Sequence, residues 1–501
     1  MTPTLPGTRG ARLWLAVAVL AALVLGALCA PWPVRLDGWT TGDAALAAEV
    51  RKLAAGQSRI GLAVAVLEDG ELRQAGLGDT GTDAAVRPDT RFEIGSVTKM
   101  LTASLFADLV ADGVVEPDDT VREVLPDRNW PKGGVGDATL AELASHRSGL
   151  PKVPLSAGTY FDGIGLNFLG LNPYADTTPA DVLGTAATAD RPTVGKYAYS
   201  NLGFALLGHV LAEKTGVRYP DLLRQRVLGQ VGMDATAVPD GMSDVRGDVA
   251  TGHDDTGRRM QPWLSSGDAP AGAGVWSDVG DLATFADQVM RGKAPGASAA
   301  EPRYRADGSQ RIGYAWVTSS KKGGGKIVWH NGAAGGCMSF VGFDRETGRV
   351  VVVLSNTYVP VDDLGVRLLT GAGETGSSPN LLGTAVGLLL PPAAWLALLG
   401  AGLGGLRRKK RKAPNRARIL AAGGEAVLMF AIALAVGSAT VLNLAGWLAG
   451  AALCGTGAYL AVTRWRELPW TEPKRPALQW TGAVVSLTAG AAVATAMALT
   501  T

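Results

Sequence analysis

Phe92-Glu93-Ile94-Gly95-Ser96-Val97-Thr98-Lys99 is the stretch on which the reading of this chain turns. Helical spacing begins at Ser96 and runs to Val115, with Asp112-Gly113 as a C-cap signal. A spacing of three puts the Ser96 hydroxyl and the Lys99 amine on one face of that helix, within reach of each other. A serine hydroxyl is a weak nucleophile until a neighbour takes its proton, and a buried lysine can be neutral enough to take it. The helix N-terminus also offers backbone N–H groups to a developing oxyanion. The spacing alone is unspecific, because Ser319-Ser320-Lys321-Lys322 repeats it. That second match lies in a Lys/Gly-rich turn with no helix after it, where Lys322 is expected to be solvated, and it is read as chance.

Working outward, Leu62–Leu67 and Glu71–Gly78 flank the turn Glu68-Asp69-Gly70 and read as an antiparallel hairpin. Leu202–Thr215 is a second helix, closed by Gly216. Ile327–His330, Ser339–Asp344 and Val350–Asn356 are short β-rich runs separated by turns. Between the two groups of strands, residues 100–260 mix helical stretches with Gly/Pro-rich loops such as Ser156–Pro173. Strands at both ends with helices between them predict an α+β fold: one antiparallel sheet closed by its termini, flanked by helices and carrying an inserted helical subdomain.

Two more elements fall in a telling order after Ser96. Tyr199-Ser200-Asn201, just before the second helix, is the only Tyr-x-Asn in the chain, and His330-Asn331-Gly332, at the end of a β-rich run, is the only His-x-Gly. The order Ser-x-x-Lys, Tyr-x-Asn, then basic residue-x-Gly resembles the serine β-lactamase and penicillin-binding-protein superfamily. The likeness is closest to its class C β-lactamase and D-alanyl-D-alanine carboxypeptidase branch, which has serine esterase and D-aminopeptidase relatives. Phe92–Lys99, Leu143-Ala144-Ser145-His146-Arg147-Ser148-Gly149-Leu150, Tyr197–Asn201, and His330–Asp344 followed by Val350–Asn356 all look like its blocks. The resemblance covers roughly residues 42–370.

What the resemblance implies is a β-lactamase/transpeptidase-like fold and an acyl-enzyme mechanism. Ser96 would be the acylated nucleophile and Lys99 its base or proton relay. Tyr199 would pass a proton to the leaving group and later activate the deacylating nucleophile. Asn201 would bind the substrate amide. His330 would stand where many relatives have Lys, steering a substrate carboxylate or tuning Tyr199, and Asn331 and Gly332 would complete that substrate-binding edge. The backbone N–H groups of Ser96 and Ala333 would form the oxyanion hole. Two departures bear on specificity. Histidine is not permanently charged, and Asn331 replaces a Thr or Ser whose hydroxyl helps hold a substrate carboxylate. Both weigh against β-lactamase and, less strongly, against strict carboxypeptidase action, and leave acyl transfer untouched.

Other residues carry plainer readings. His146 is expected to be structural, orienting a loop beside the site. His209 and His253 show no ligand spacing and no His-Glu-x-x-His occurs, so no metal or other cofactor is expected. The absence of Gly-x-Ser-x-Gly argues against an α/β-hydrolase. With 3 Cys, of which Cys29 and Cys454 lie in or beside apolar runs, a disulfide is not expected.

The remainder of the chain speaks for a membrane. Leu13–Ala30 is an uncharged run of 18 residues after Arg9 and Arg12, read as a signal anchor or signal peptide over residues 1–30. Leu381–Leu406 is apolar, Ile419–Thr463 spans 45 residues with Glu425 as its one charge, and a last span is expected near Thr481–Leu499. The basic clusters Arg407–Lys412 and Arg464–Arg475 belong inside by the positive-inside rule, which gives five spans and places residues 31–380 outside the cell. The formal net charge of +2 then separates into 33 basic and 42 acidic residues for that exported part, a net of −9, and +11 for the rest. The acidic domain argues against nucleic acid as a partner. The expected partners are a small-molecule or peptide substrate and the lipid bilayer. The expectation is thus a membrane-anchored serine hydrolase acting on D-residue-containing peptides. The alternatives are a small-ester hydrolase, D-aminopeptidase, β-lactamase, peptide acyltransferase or a non-catalytic sensor of wall peptides.

Overall fold

The computed structural model describes residues 8–152, 163, 165–166, 169–245, 247–321, 324–371, 384–393, 396, 415–436, 440–471 and 476–498. The chain forms two compact units: Val34–Leu166 with Gly170–Ser377, and Met1–Pro33 with Asn167–Leu169 and Ser378–Thr501.

The first unit is built on a nine-stranded antiparallel sheet. Its strands are β1 (Thr40–Gly42), β2 (Gly61–Glu68), β3 (Glu71–Gly78), β6 (Tyr304–Arg305), β7 (Arg311–Ile312), β8 (Val317–Ser320), β9 (Lys326–Ala334), β10 (Cys337–Asp344) and β11 (Arg349–Ser355), in the order β1-β3-β2-β11-β10-β9-β8-β7-β6. A separate pair joins β4 (Phe92–Glu93) to β5 (Trp276–Ser277). The expected hairpin is β2–β3, with Glu68 opposite Glu71. Asp69 and Gly70 both take positive φ, +52° and +83°, as a two-residue turn between right-twisted strands requires. The termini close the sheet through β2–β11, where Val64 faces Val353.

The period of two along each strand sends side chains into two cores. Ala63 and Ala65 of β2 and Val350, Val352 and Leu354 of β11 enter one; Leu62, Val64 and Val66, with Val351 and Val353, enter the other. The second core is covered by the helices Ala44–Leu53 and Asp362–Thr370, through Leu46, Val50, Leu364 and Leu368. The first takes the inserted helical region, including Thr98–Ala111 and Asn201–Thr215. A sheet buried on both faces explains why β2 and β11 are nearly uninterrupted Val/Leu/Ala runs. Thr98–Ala111 is itself enclosed on nearly all sides, so its sequence is apolar all round rather than amphipathic. Lys99 sits inside this packing at 0% exposure.

Among the described residues of the second unit, three helices are long and apolar enough to cross a membrane: Gly10–Leu28, Arg416–Leu434 and Leu442–Glu467. The expected pair of spans in 419–463 divides at Thr440, whose hydroxyl caps the following helix by accepting from the Asn443 N–H. The last expected span falls on the 23-residue helix Pro476–Ala498, which has no ionisable side chain. Of the expected span Leu381–Leu406, the described part is the helix Thr384–Ala393 and Leu396. The basic run Arg407–Lys412, the linker at 374–380 and most of the 156–173 loop lie outside the described residues. Within this unit, Trp447 Nε1 donates to the Gly26 carbonyl at 2.8 Å and Tyr459 Oη to that of Ala11 at 3.0 Å.

Candidate active site

Ser96 stands at the entrance to the helix Thr98–Ala111, on a single 3₁₀ turn, Gly95–Val97. Three glycines bring the backbone in around it. Gly95 has φ +51°, and a Cβ there would lie 2.6 Å from both N and O of Ala333 on β9. A Cβ on Gly332 would meet the Ile94 carbonyl oxygen at 2.2 Å and the Ser96 N at 2.9 Å; one on Gly272 would meet the Gly95 oxygen at 2.2 Å and the Ser96 N at 2.9 Å. Beyond Trp329, β9 has no strand partner on its outer side, and there the Ile94–Ser96 backbone lies against it. Ser339 Oγ holds this approach by donating to the Ile94 carbonyl at 2.7 Å. Gly332 therefore serves through its missing side chain. Ser96 and Ala333 line the same cleft.

Ser96 Oγ lies 2.8 Å from Lys99 Nζ and 2.7 Å from Tyr199 Oη. Lys99 Nζ donates to the Ala271 carbonyl at 2.5 Å and stands 5.1 Å from the centre of the Tyr199 ring. Burial pulls Lys99 down to about 7; the negative charge of Asp268 opposes this and the positive charge of Lys152 adds to it. Desolvation holds the Tyr199 phenol well above its ordinary value, so it is protonated at neutral pH. The site thus pairs an amine that can be neutral with a phenol that keeps its proton, both touching one hydroxyl.

Tyr199 is held by the loop that carries it. Ser200 caps the helix Asn201–Thr215 by accepting the Gly203 N–H at 2.9 Å, and its own hydroxyl donates to the Pro151 carbonyl at 2.7 Å. His146 Nδ1 accepts the Ser200 N–H at 3.1 Å, and its ring packs 4.4 Å from that of Tyr199. Burial keeps His146 neutral. Asn201 opens the helix behind Tyr199, and its Oδ1 is buried without a hydrogen-bond partner.

The sheet edge departs from the sequence reading. His330 faces the site, its ring 6.3 Å from that of Tyr199, with Nδ1 2.5 Å from the Asn331 carbonyl. Burial, then the Lys99 charge, pushes it down to about 4, so at neutral pH it carries no charge with which to steer a carboxylate. Asn331, the next residue on a strand, turns to the opposite face, where its Nδ2 donates to Asp362 Oδ1 at 2.5 Å. Its side chain is not brought to Ser96, which corrects the expectation that it binds substrate. The second Ser-x-x-Lys starts on a strand and not at the head of a helix. Ser319 lies on β8 and accepts from Trp329 Nε1 at 2.9 Å, while Lys322 is outside the described residues.

Several contributors carried no sequence signal. Asp268 and Ala271 come from a Gly/Ala/Pro-rich loop some 170 residues after Lys99, with no motif to mark them. Glu93, in the opening stretch itself, is buried and pushed up to about 8. Its carboxyl accepts the Trp263 N–H at 2.8 Å and so ties the wall of the site to β4.

The profile of the family described as β-lactamase matches residues 46–371. Penicillin-binding protein 4 of Amycolatopsis lactamdurans is 30% identical over 322 residues, covering 59% of this chain and 80% of that protein. The D-alanyl-D-alanine-carboxypeptidase/endopeptidase AmpH of Escherichia coli (strain K12) is 25% identical over 322 residues, covering 60% of this chain and 80% of its own length. Among solved structures, a class C β-lactamase from Rhodobacter sphaeroides shares the fold at a TM-score of 0.53 and 22% identity, covering 64% of this chain and 95% of that one. A match running from before the hairpin to past β11, joined by relatives at that coverage, makes this chain a member of the β-lactamase family and a serine hydrolase of the β-lactamase/penicillin-binding-protein superfamily.

Proposed function

We propose that the chain is a membrane-anchored, extracytoplasmic hydrolase that forms an acyl-enzyme on Ser96 and acts on D-residue-containing peptides in the manner of a D,D-carboxypeptidase. The observation that carries the chemistry is the placement of one hydroxyl between Lys99 Nζ at 2.8 Å and Tyr199 Oη at 2.7 Å. In this reading Ser96 Oγ attacks the scissile carbonyl as neutral Lys99 takes its proton. The oxyanion forms against the N–H groups of Ser96 and Ala333, where losing one donor typically costs about 2.7–4 kcal/mol. The proton is relayed through Tyr199 to the leaving nitrogen or oxygen as the tetrahedral intermediate collapses. Water then attacks the ester, gives its proton back along the same path, and releases the acid with Ser96 restored.

The likeness to penicillin-binding protein 4 and AmpH supports a substrate with D-residues, and an outward-facing domain would meet such peptides in a cell wall. The anchoring rests on the three apolar helices and the basic loops. A second reading, a small-ester hydrolase or D-aminopeptidase, is favoured by the neutral His330 and the averted Asn331, which leave a substrate's terminal carboxylate without that anchor.

The test is covalent labelling of the full chain in detergent with a fluorescent penicillin or fluorophosphonate. Label on the wild type that disappears in Ser96→Ala is expected; no Ser96-dependent label with either probe would overturn the reading. A D-Ala-D-Ala peptide and a short-chain p-nitrophenyl ester then separate the two substrate classes.

A further inference from the structure

A cavity of about 540 Å³ opens where the turn joining β6 to β7 meets the loop that leads into Tyr199. Arg147, Lys196, Arg303, Arg305 and Arg311 line it, with Asp307 as the one carboxylate among its walls. The cavity is thus strongly positive, although residues 31–380 together carry a net charge of −9. It shares no lining residue with the cleft beside Ser96. It does adjoin the loops that hold Tyr199. Arg147 follows His146 in the chain, and Tyr197, a further wall residue, meets the His146 ring edge-on at 5.9 Å.

Neutral partners place these cations. The Arg147 guanidinium lies 4.0 Å from the centre of the Tyr304 ring, and its Nε donates to the Gly195 carbonyl at 3.1 Å. Arg303 stands 4.3 Å from the centre of the Tyr314 ring and donates to the Ser298 carbonyl at 2.9 Å, with the Glu301 carboxylate 4.0 Å away. Arg311 donates to the Arg303 carbonyl at 2.9 Å. Lys196 and Arg305 are exposed, and among the described residues their side chains have no hydrogen-bond or ion-pair partner. Arg305 also stands directly opposite Arg311 in the β6–β7 pair, where like charges destabilise a sheet. Carbonyls and rings orient the guanidinium groups without neutralising them, so their repulsion is left for a bound anion to relieve.

We infer that this cavity is a binding site for a small anion with two or more adjoining phosphates, held outside the Ser96 cleft. A lone carboxylate takes one arginine fork, whereas a diphosphate offers oxygens and charge to several forks at once. The acidic remainder of the domain repels a long polyanion, which favours a small ligand that fits within the cavity. The recognising chemistry is the same for a free diphosphate and for one esterified to an organic group. The site goes beyond the acyl-transfer reading and does not depend on Ser96.

The test is calorimetric titration of the full chain in detergent with sodium pyrophosphate at pH 7 and low salt. The double variant Lys196→Gln/Arg305→Gln should weaken binding about 10-fold or more, the scale of a lost charge-assisted hydrogen bond. Asp307→Asn should tighten binding, because a like charge leaves the cavity. Both variants should melt as the wild type does and keep Ser96-dependent labelling. No binding by the wild type, or weaker binding by Asp307→Asn, would overturn the site. Unchanged affinity in the double variant would also overturn it, by placing pyrophosphate on the basic loops at 407–412 or 464–475. Inorganic phosphate should bind more weakly than pyrophosphate, and equal affinity would overturn the call for adjoining phosphates. Geranyl diphosphate separates the two sources: affinity equal to that of pyrophosphate supports an esterified ligand, and loss of binding supports the free anion. Ser96→Ala should bind pyrophosphate as the wild type does, so failure of the serine-hydrolase reading shows separately, as absence of Ser96-dependent labelling.

Discussion

Ser96–Lys99 and Ser319–Lys322 share a spacing and almost nothing else. The first begins a helix enclosed by the core, where Lys99 is 0% exposed and meets the Ser96 hydroxyl and the Ala271 carbonyl. The second starts on a strand, Val317–Ser320, where Ser319 accepts from the Trp329 indole; Lys321, between Ser320 and the motif's Lys322, bonds Asp344 at 2.5 Å and Glu346 at 3.3 Å. Burial takes the proton affinity of Lys99 down to about 7, while carboxylate partners hold that of Lys321 above its usual value. Helix and strand contexts thus give two lysines opposite chemistries: Lys99 is an amine able to accept a proton, and Lys321, which precedes the second motif's own Lys322, is an ammonium locked into ion pairs.

The comparison breaks most sharply at the nucleophile. Lys99→Ala should lower kcat on a p-nitrophenyl ester by about 10² or more, the usual scale of a general acid–base step, while Lys321→Ala leaves it unchanged. Similar losses in the two variants would mean that the ester is cleaved elsewhere. Tyr199→Phe should cost about 10² in turnover through the same acid–base argument, with Ser96 labelling retained because the hydroxyl remains. A Tyr199→Phe enzyme of normal rate would remove the phenol from the proton path.

A smaller effect lies in the pH profile. Because neutral Lys99 is the acceptor, kcat/KM for an uncharged ester should rise with pH through about 7, where Lys99 loses its proton. Lys152 helps depress Lys99, so Lys152→Met should shift that rise to higher pH; Asp268 opposes the depression, so Asp268→Asn should shift it lower. Shifts in the other directions, in stopped-flow acylation rates, would exclude Lys99 as the titrating group.

What the sequence could show follows from how local each feature is. The β2–β3 hairpin, the helix after Ser96 and the capped helix after Ser200 are set by neighbours within a few residues, and they lie where periodicity and turn residues put them. Ser96, Lys99 and Tyr199 meet because two such local motifs point into one cleft. Asp268 and Ala271 reach Lys99 only through tertiary packing, from a loop whose composition suggests nothing but a turn. Asn331 was readable in principle: if His330 faces the site, strand alternation turns its neighbour away. Transferring a whole family motif as one substrate-binding edge hid that parity. The neutrality of His330 depends on its 3% exposure, which no spacing encodes.

Stability provides the finest separation of the two lysines, because the signs differ. Lys99 titrates near 7 in the fold against an ordinary 10.5. Between those values the unfolded chain binds a proton that the native chain lacks, so this group makes stability rise with pH across that window and weighs fully against the fold below it. Lys321 is displaced upward, so its contribution is fully present below its ordinary value and is lost as pH rises through the higher folded one. Lys99→Met, which fills similar volume without a charge, should therefore raise the melting temperature at pH 6, with the gain shrinking toward pH 10. Lys321→Met should lower it slightly throughout pH 6–9, on the order of 1 kcal/mol or less for a partly exposed ion pair. Thermal melts of the two variants at pH 6 and pH 9 decide the point. A Lys99→Met chain that melts lower than the wild type at pH 6 would mean that Lys99 is held as a paired cation, and the contrast with Lys321 would vanish.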